Sequence, residues 1–463
     1  MTAPRGSYLI KGGSVITVDP SLGTLPCADV RIRDGIIESV GSDLGAEGLE
    51  VIDATGMIVM PGLVDSHYHM WSTLGRNFIA DDGFGYYPAK WATAHLYDPD
   101  DFYASVLLGL AELANGGVTT VHNWSHNSRS PAHTDAELRA HRDSGLRARY
   151  SLGHREGLPS DVPNRFEDLE RITAEWFGDA GPLRQLVHLG VNLRGMVQSD
   201  APVFHAEMEA MLRRGLAVSI HASQTLPNRD DAADYERRGY LGPRFLFCHY
   251  IAATQSDREA MARTGTPLSF ATLSEMRLSE DGDPRDAFMK MRAAGVAISL
   301  SSDATSLAPP NMFETMRATW NMAIPWRGTG TAGMPPLGIS EAIEMATLRG
   351  AEALGLGGIT GSLSPGKRAD VILIDTDGVN IAPMAHIETT ILQSATPANV
   401  DTVMVEGRLL KRRKQLVGFD VEHIVAAAKR SALRIRAAAG GRLEPLCGCY
   451  GGCFPAAGPS ARG

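Results

Sequence analysis

The sequence predicts an α/β protein: a parallel (β/α)8 barrel flanked by a β-sandwich built from both ends of the chain. Three observations predict it. Apolar, β-branched runs alternate with longer helix-like segments through the middle of the chain. Short strands broken by Gly and Asp fill the first 58 residues, and the same texture returns from residue 369. The length, 463 residues, exceeds what one hydrophobic core usually serves.

In chain order, YLIKGGSVITVD, ADVRIRDGIIESVG and EVIDATGMIVM read as strands separated by turns. Neither they nor the late ADVILIDTDG and VDTVMVEGRLL are long enough to fold alone. Residues 1–58 and 359–415 are therefore expected to share one composite sandwich. Between them, GVTTVHNW, LAVSIHAS, RFLFCHY and VAISLSSDA read as strands, and DDFYASVLLGLAELANGG and PVFHAEMEAMLRRG as helices. The span 59–358 suits a TIM barrel. Residues 416–440 read as a C-terminal helix, and the Gly-, Pro- and Ala-rich 441–463 as a flexible tail.

Composition narrows the function classes. Apolar residues make up 44% and charged residues 21%, ordinary for a globular enzyme. With 44 basic and 53 acidic residues the net charge is -9, which offers no electrostatic case for nucleic acid or an anionic membrane. The N-terminus has no apolar signal-peptide core, and no apolar run approaches the roughly 20 residues of a membrane helix. A cytoplasmic location is expected. Of five cysteines, Cys27 and Cys248 read as reduced core residues. Cys447, Cys449 and Cys453 sit in the tail without an evident fourth ligand for zinc, and the odd count argues against a disulfide framework.

The chemistry-bearing signal begins at PGLVDSHYHM. His67 and His69 are two apart, so in a strand both imidazoles point to one face and can chelate one ion. By itself H-x-H is a weak signal. His221 ends LAVSIHAS, His249 ends RFLFCHY and Asp303 ends VAISLSSDA. Singly, each is more simply a polar strand end or, for Asp303, a helix N-cap. Together they fall in register with a barrel repeat. His67 to Asp303 spans 236 residues, about 34 for each of seven βα units. The four positions then belong to barrel strands 1, 5, 6 and 8, each at the C-terminal end where barrel enzymes build their sites.

The H-x-H, single His, single His and Asp pattern resembles the amidohydrolase superfamily. So do the PGLVDSHYH turn, GGVTTVHN and GSLSPGKRADVILID, and the resemblance runs to about residue 415. Within it the chain is most similar to the one-metal branch of atrazine chlorohydrolase-like and guanine or cytosine deaminase-like enzymes. The resemblance implies His67, His69, His221 and Asp303 as ligands of one divalent ion, zinc in the first place, with iron or manganese suited to the same donors. It implies Asp303 and His249 as catalytic groups, the former taking a proton from water and the latter holding the water or polarising the substrate. Two-metal members carry a carboxylated lysine on strand 4, and the strand-4 candidate QLVHLGVNLRG has none. A small cyclic substrate cut at a C–N bond and a homodimer are also implied.

One position departs from the branch. Its deaminases carry His-x-x-Glu on strand 5, where this chain has His221-Ala-Ser-Gln224. Glutamine donates hydrogen bonds but delivers no proton. Deamination by the usual proton shuttle then needs another acid, or the substrate needs no ring protonation: an amide, an amidine, or a ring carbon bearing a good leaving group such as halide. Glu275, after strand 7, either replaces the missing acid or is a solvated loop residue. Trp71, Trp124, His126, His154, Arg155, Tyr250 and Thr305 follow barrel strands and are the remaining candidates for substrate contact. Packing accounts for the aromatic ones equally well, and Arg155 reads as either a clamp for an acidic substituent or a solvated charge.

Overall fold

The computed structural model describes residues 5–79, 84–164, 166–222, 230–279, 282–324 and 333–443. Gln224 and the cysteines at 447, 449 and 453 lie outside these. Both chain ends contribute to one nine-stranded sheet. From the N-terminal end come β1 (Tyr8–Ile16), β2 (Thr24–Arg33), β3 (Ile36–Gly41), β4 (Glu50–Asp53) and β5 (Met57–Pro61). The Asp34-Gly35 turn joining β2 to β3 takes left-handed backbone at both residues, φ 49° and 77°, as a tight hairpin needs. A Cβ at Gly35 would lie 2.3 Å from the Glu406 carbonyl oxygen, so only glycine fits.

Eight parallel strands follow: β6 (Leu63–Tyr68), β7 (Val118–Ser125), β8 (Arg147–Leu152), β9 (Val187–Leu193), β10 (Ala217–Ala222), β11 (Phe245–His249), β12 (Leu268–Phe270) and β13 (Ile298–Leu300). Each pairs with its neighbour in chain order, as successive βα units require. The barrel closes between first and last strands at the rim. There His69 N donates to Asp303 O at 2.8 Å and Asp303 N donates to His67 O at 2.9 Å. Lower down, the Ser66 hydroxyl donates to Leu300 O at 2.8 Å.

The remaining strands, β14 (Val371–Asp375), β15 (Val400–Val405), β16 (Arg408–Arg412) and β17 (Gln415–Leu416), return to the first sheet. β14 pairs antiparallel with β5, which pairs parallel with β1, so the two chain ends are hydrogen-bonded into one sheet. One face of it makes a core of its own from Ile10, Val30, Ile32, Val59, Val371 and Leu373. The alternate residues Ile58, Met60, Ile372 and Ile374 pack into the barrel's core, as the period-2 alternation of strands demands. Arg147 of β8 and Asp370, both fully buried, tie barrel to sheet with bonds of 2.7 and 3.2 Å.

Two elements bear on the site from outside the barrel. The helix Pro99–Asn115 starts at a capping box, Asp98 and Asp101 each accepting the other's backbone N–H. The helix Val421–Ala439 packs Ala428 and Ile435 against Trp71, Tyr97 and Phe102. No described helix is long and apolar enough to cross a membrane. Cys248 is buried as expected, but Cys27 is exposed, because it falls in the outer half of β2, before the buried run that starts at Ala28.

Candidate metal centre

His67 lies in β6 and His69 immediately after it, their rings 4.6 Å apart. His221 is in β10, His249 ends β11, and Asp303 follows β13 by three residues. These are barrel strands 1, 5, 6 and 8, as the spacing predicts. Three ring nitrogens and one carboxylate oxygen face one another. His221 Nε2 is 3.3 Å from His67 Nε2 and 3.2 Å from His69 Nε2. Asp303 Oδ1 is 3.3 Å from His67 Nε2 and 3.1 Å from His69 Nε2. Metal–nitrogen bonds of about 2.0–2.1 Å place tetrahedral ligands about 3.3 Å apart, so the four measured separations fit the edges of a tetrahedron around one ion.

The donor chemistry points the same way. Burial lowers the His67 pKa to about 4 and pushes His69 and His221 well below the usual imidazole value, leaving neutral rings with lone pairs to give. Burial acts to raise the Asp303 pKa, but its bonds to His67 and His69 win and hold the carboxyl well below the ordinary range. Bare nitrogens and a carboxylate repel at this spacing, and hydrogen bonds cannot pair them all. A cation between them resolves the conflict. β9, the fourth barrel strand, contains no lysine.

The rim is strained where the groups converge. His249, Tyr250 and Asp303 adopt left-handed backbone with φ 75°, 54° and 68°, which is uncommon outside glycine and concentrates at functional sites. Asp65 anchors this corner, accepting from Ser302 N at 3.1 Å, His67 N at 3.3 Å and the Ser302 hydroxyl. Burial raises its pKa to about 7. The second Asp303 oxygen accepts from the Ser274 hydroxyl.

His249 is buried, with a ring nitrogen within 4.8 Å of those of His67 and His221. Its Nδ1 lies 2.6 Å from Glu275 Oε1. Burial disfavours the imidazolium, but the Glu275 charge and hydrogen bond outweigh it, so the His249 pKa is raised. Glu275 is fully buried rather than solvated, because the helix Thr272–Leu278 turns it inward beside Ser274.

The other candidates separate by burial. Trp124 is fully buried and stacks on His221, centroids 4.1 Å apart and 21° between planes, and meets His67 in a T-shaped contact with centroids 4.8 Å apart. Trp71 donates from Nε1 to His126 Nδ1 at 3.1 Å. His126, 2% exposed, has both ring nitrogens against protein, at His69 Nδ1 (3.2 Å) and Glu156 Oε1 (2.7 Å). His154 is buried, which pushes its pKa to about 3. Tyr250 is buried and donates to Asp230 O at 3.2 Å. Thr305 is half-buried, 3.4 Å from Thr73 O. Arg155 is exposed and lines a groove with Arg129 and Arg171.

Sequence reasoning missed Asp65, Ser274, Glu156 and Lys90. Asp65 was within reach: Asp65, His67 and His69 alternate on one strand face. The others come from loops and helices whose spacing to the histidines follows no period.

A parallel eight-stranded barrel with this rim, flanked by a composite sheet, defines a metal-dependent hydrolase. The Amidohydrolase family pattern matches residues 58–410, and the chain belongs to that family. Over 457 residues it is 27% identical to the 5-methylthioadenosine/S-adenosylhomocysteine deaminase of Acetivibrio thermocellus, covering 93% of this chain and 99% of that protein. It is also 27% identical over 450 residues to the 5'-deoxyadenosine deaminase of Methanosarcina mazei, covering 92% and 97%. Among solved structures, an adenosine deaminase from Xanthomonas campestris with bound zinc superposes with a TM-score of 0.79 at 21% identity, covering 93% and 99%. Atrazine chlorohydrolase TrzN from Arthrobacter aurescens TC1, complexed with zinc, gives 0.77 at 20%, covering 92% and 100%. The chain is an enzyme of the Amidohydrolase family, and its fold is that of these neighbours.

Proposed function

We propose that the protein is a zinc-dependent aminohydrolase of a small nitrogen heterocycle, with a 6-aminopurine nucleoside as the first class to test. His67, His69, His221 and Asp303 are the ligands in this reading. The observation that carries it is the set of four donor atoms at tetrahedral-edge separations on the C-terminal rim of the barrel. A divalent ion there supplies Lewis acidity, which makes hydroxide available near neutral pH. Asp303 accepts the water's proton. His249, cationic through Glu275, donates to the group where negative charge develops. Trp124 holds the His221 ring, and the buried wall excludes bulk water. The protein works in the cytoplasm as a homodimer, which light scattering on the purified chain checks.

Gln224 favours a second reading, hydrolysis of a different leaving group. An amide side chain delivers no proton to a ring nitrogen, so a ring already activated by halide or alkoxide is the better substrate in that case. One assay separates the two. The zinc-loaded enzyme is offered adenosine, 5'-deoxyadenosine and 5'-methylthioadenosine beside chloro- and alkoxytriazines, with ammonia and chloride both measured. Ammonia from the nucleosides supports the first reading. Chloride or alcohol release without ammonia replaces it with the second.

A further inference from the structure

From His69 runs a chain of buried and partly buried polar contacts that the reaction does not use directly. His69 Nδ1 lies 3.2 Å from His126 Nδ1, and His126 Nε2 lies 2.7 Å from Glu156 Oε1. Lys90 Nζ donates to the same Glu156 oxygen at 3.0 Å. The buried Trp71 donates from Nε1 to His126 Nδ1 at 3.1 Å.

Only one set of protons fits these contacts. An indole N–H can donate but never accept, so His126 Nδ1 must be the bare, accepting nitrogen. A neutral imidazole carries one proton, which then sits on Nε2 and is donated to Glu156. Two bare nitrogens would repel at 3.2 Å, so His69 Nδ1 carries a proton, and its N–H shares the single lone pair of His126 Nδ1 with the Trp71 N–H in a three-centre contact. His69 Nε2 is then bare, and it is the nitrogen that faces Asp303 Oδ1 and His221 Nε2 at 3.1 and 3.2 Å. The opposite assignment, suggested by a 3.4 Å approach of His126 Nδ1 to Trp124 O, would set N–H against N–H at Trp71. His67 offers a contrast: its Nδ1 is buried without a hydrogen-bond partner among the described residues.

We propose that Glu156, acting through His126, fixes the tautomer and orientation of His69 and so tunes how tightly the centre holds its metal. Glu156 and His126 are positioning residues. Carboxylate–histidine pairs behind metal ligands typically contribute 10- to 100-fold in affinity. Lys90, on the helix Tyr86–Thr93, anchors the carboxylate from the far side. The inference rests on the metal-site reading above.

The test is zinc affinity, measured on the purified full chain by competition with a chromophoric chelator. Alongside it run the visible spectrum of the cobalt(II)-loaded protein and the melting of the metal-free protein. Glu156→Gln and His126→Ala are each expected to weaken zinc binding roughly 10- to 100-fold and to alter the cobalt spectrum, and the near-isosteric Glu156→Gln to leave metal-free melting at the wild-type value. The double variant should bind no more weakly than His126→Ala alone, since the carboxylate reaches His69 only through that ring. His126→Gln should recover most of the loss, because a glutamine amide can accept from His69 and donate to Glu156 with the same polarity. Wild-type affinity in both single variants, additive losses, or a His126→Gln no better than His126→Ala would each overturn the relay. A wild type that binds no zinc would instead overturn the metal-site reading.

Discussion

Glu275→Gln is the sharpest test of how His249 works. The carboxylate is fully buried and its Oε1 sits 2.6 Å from His249 Nδ1, a charge-assisted contact in low dielectric. Glutamine keeps the shape and an accepting oxygen but removes the charge. Bonds to charged groups contribute about 1.5–3 kcal/mol, and about 1.4 kcal/mol is tenfold in rate. The expected loss in kcat/KM is therefore about 10- to 150-fold if the imidazolium is the acting form.

The pH profile gives a second readout. The His249 pKa is raised: burial opposes the shift, and Glu275, its hydrogen bond and Asp303 outweigh it. A group raised above its unfolded value is protonated below that value and loses its proton as pH rises through the folded pKa. Activity needing the imidazolium falls on that alkaline limb, and in Glu275→Gln, with burial uncompensated, the limb moves to lower pH. The same linkage gives the wild type stability that is fully present below the unfolded histidine pKa and lost as pH rises through the folded one. Steady-state kinetics across pH on the zinc-loaded proteins reads both effects. A Glu275→Gln enzyme within twofold of wild type, with an unmoved alkaline limb, would refute the reasoning.

Three further outcomes are expected. Arg147→Ala leaves the buried Asp370 carboxylate without its cation at the junction of barrel and sheet, and should cost about 3–5 kcal/mol in denaturant unfolding; a change under about 1 kcal/mol would mean the pair is dispensable. Deleting residues 1–58 removes β1 to β4, the start of β5 and most of the sheet's own core, so the truncated chain should be insoluble; a soluble product with one cooperative melt would count against the composite sheet as a folding requirement. Gln224→Glu restores a proton-donating side chain, and ammonia release from aminopurines and aminopyrimidines should rise at least tenfold; no gain across such a panel would show that ring protonation is not what limits this enzyme.

The primary sequence by itself pointed to the barrel and to a candidate donor set. Regular structure imposes periods on a chain. The two-residue alternation of a strand puts His67 and His69 on one face, and the βα repeat puts His221, His249 and Asp303 at the ends of the fifth, sixth and eighth barrel strands. The hairpin punctuation of the two chain ends also carried their pairing into one sheet, realised as β5 against both β1 and β14. What only the tertiary structure decided is the layer behind those ligands. Glu275 was equally readable as a solvated loop residue until the short helix after β12 turned it onto His249. His126 was readable as a substrate contact until its two nitrogens were seen to bridge His69 and Glu156. Glu156 reaches that ring from 30 residues downstream, and Lys90 meets Glu156 across a separation of 66 residues. Such contacts are set by how loops of irregular length fold over the rim. No periodic constraint links their positions, so the chemistry of the candidate ligands is written along the chain while the groups in contact with them are assembled only by packing in space.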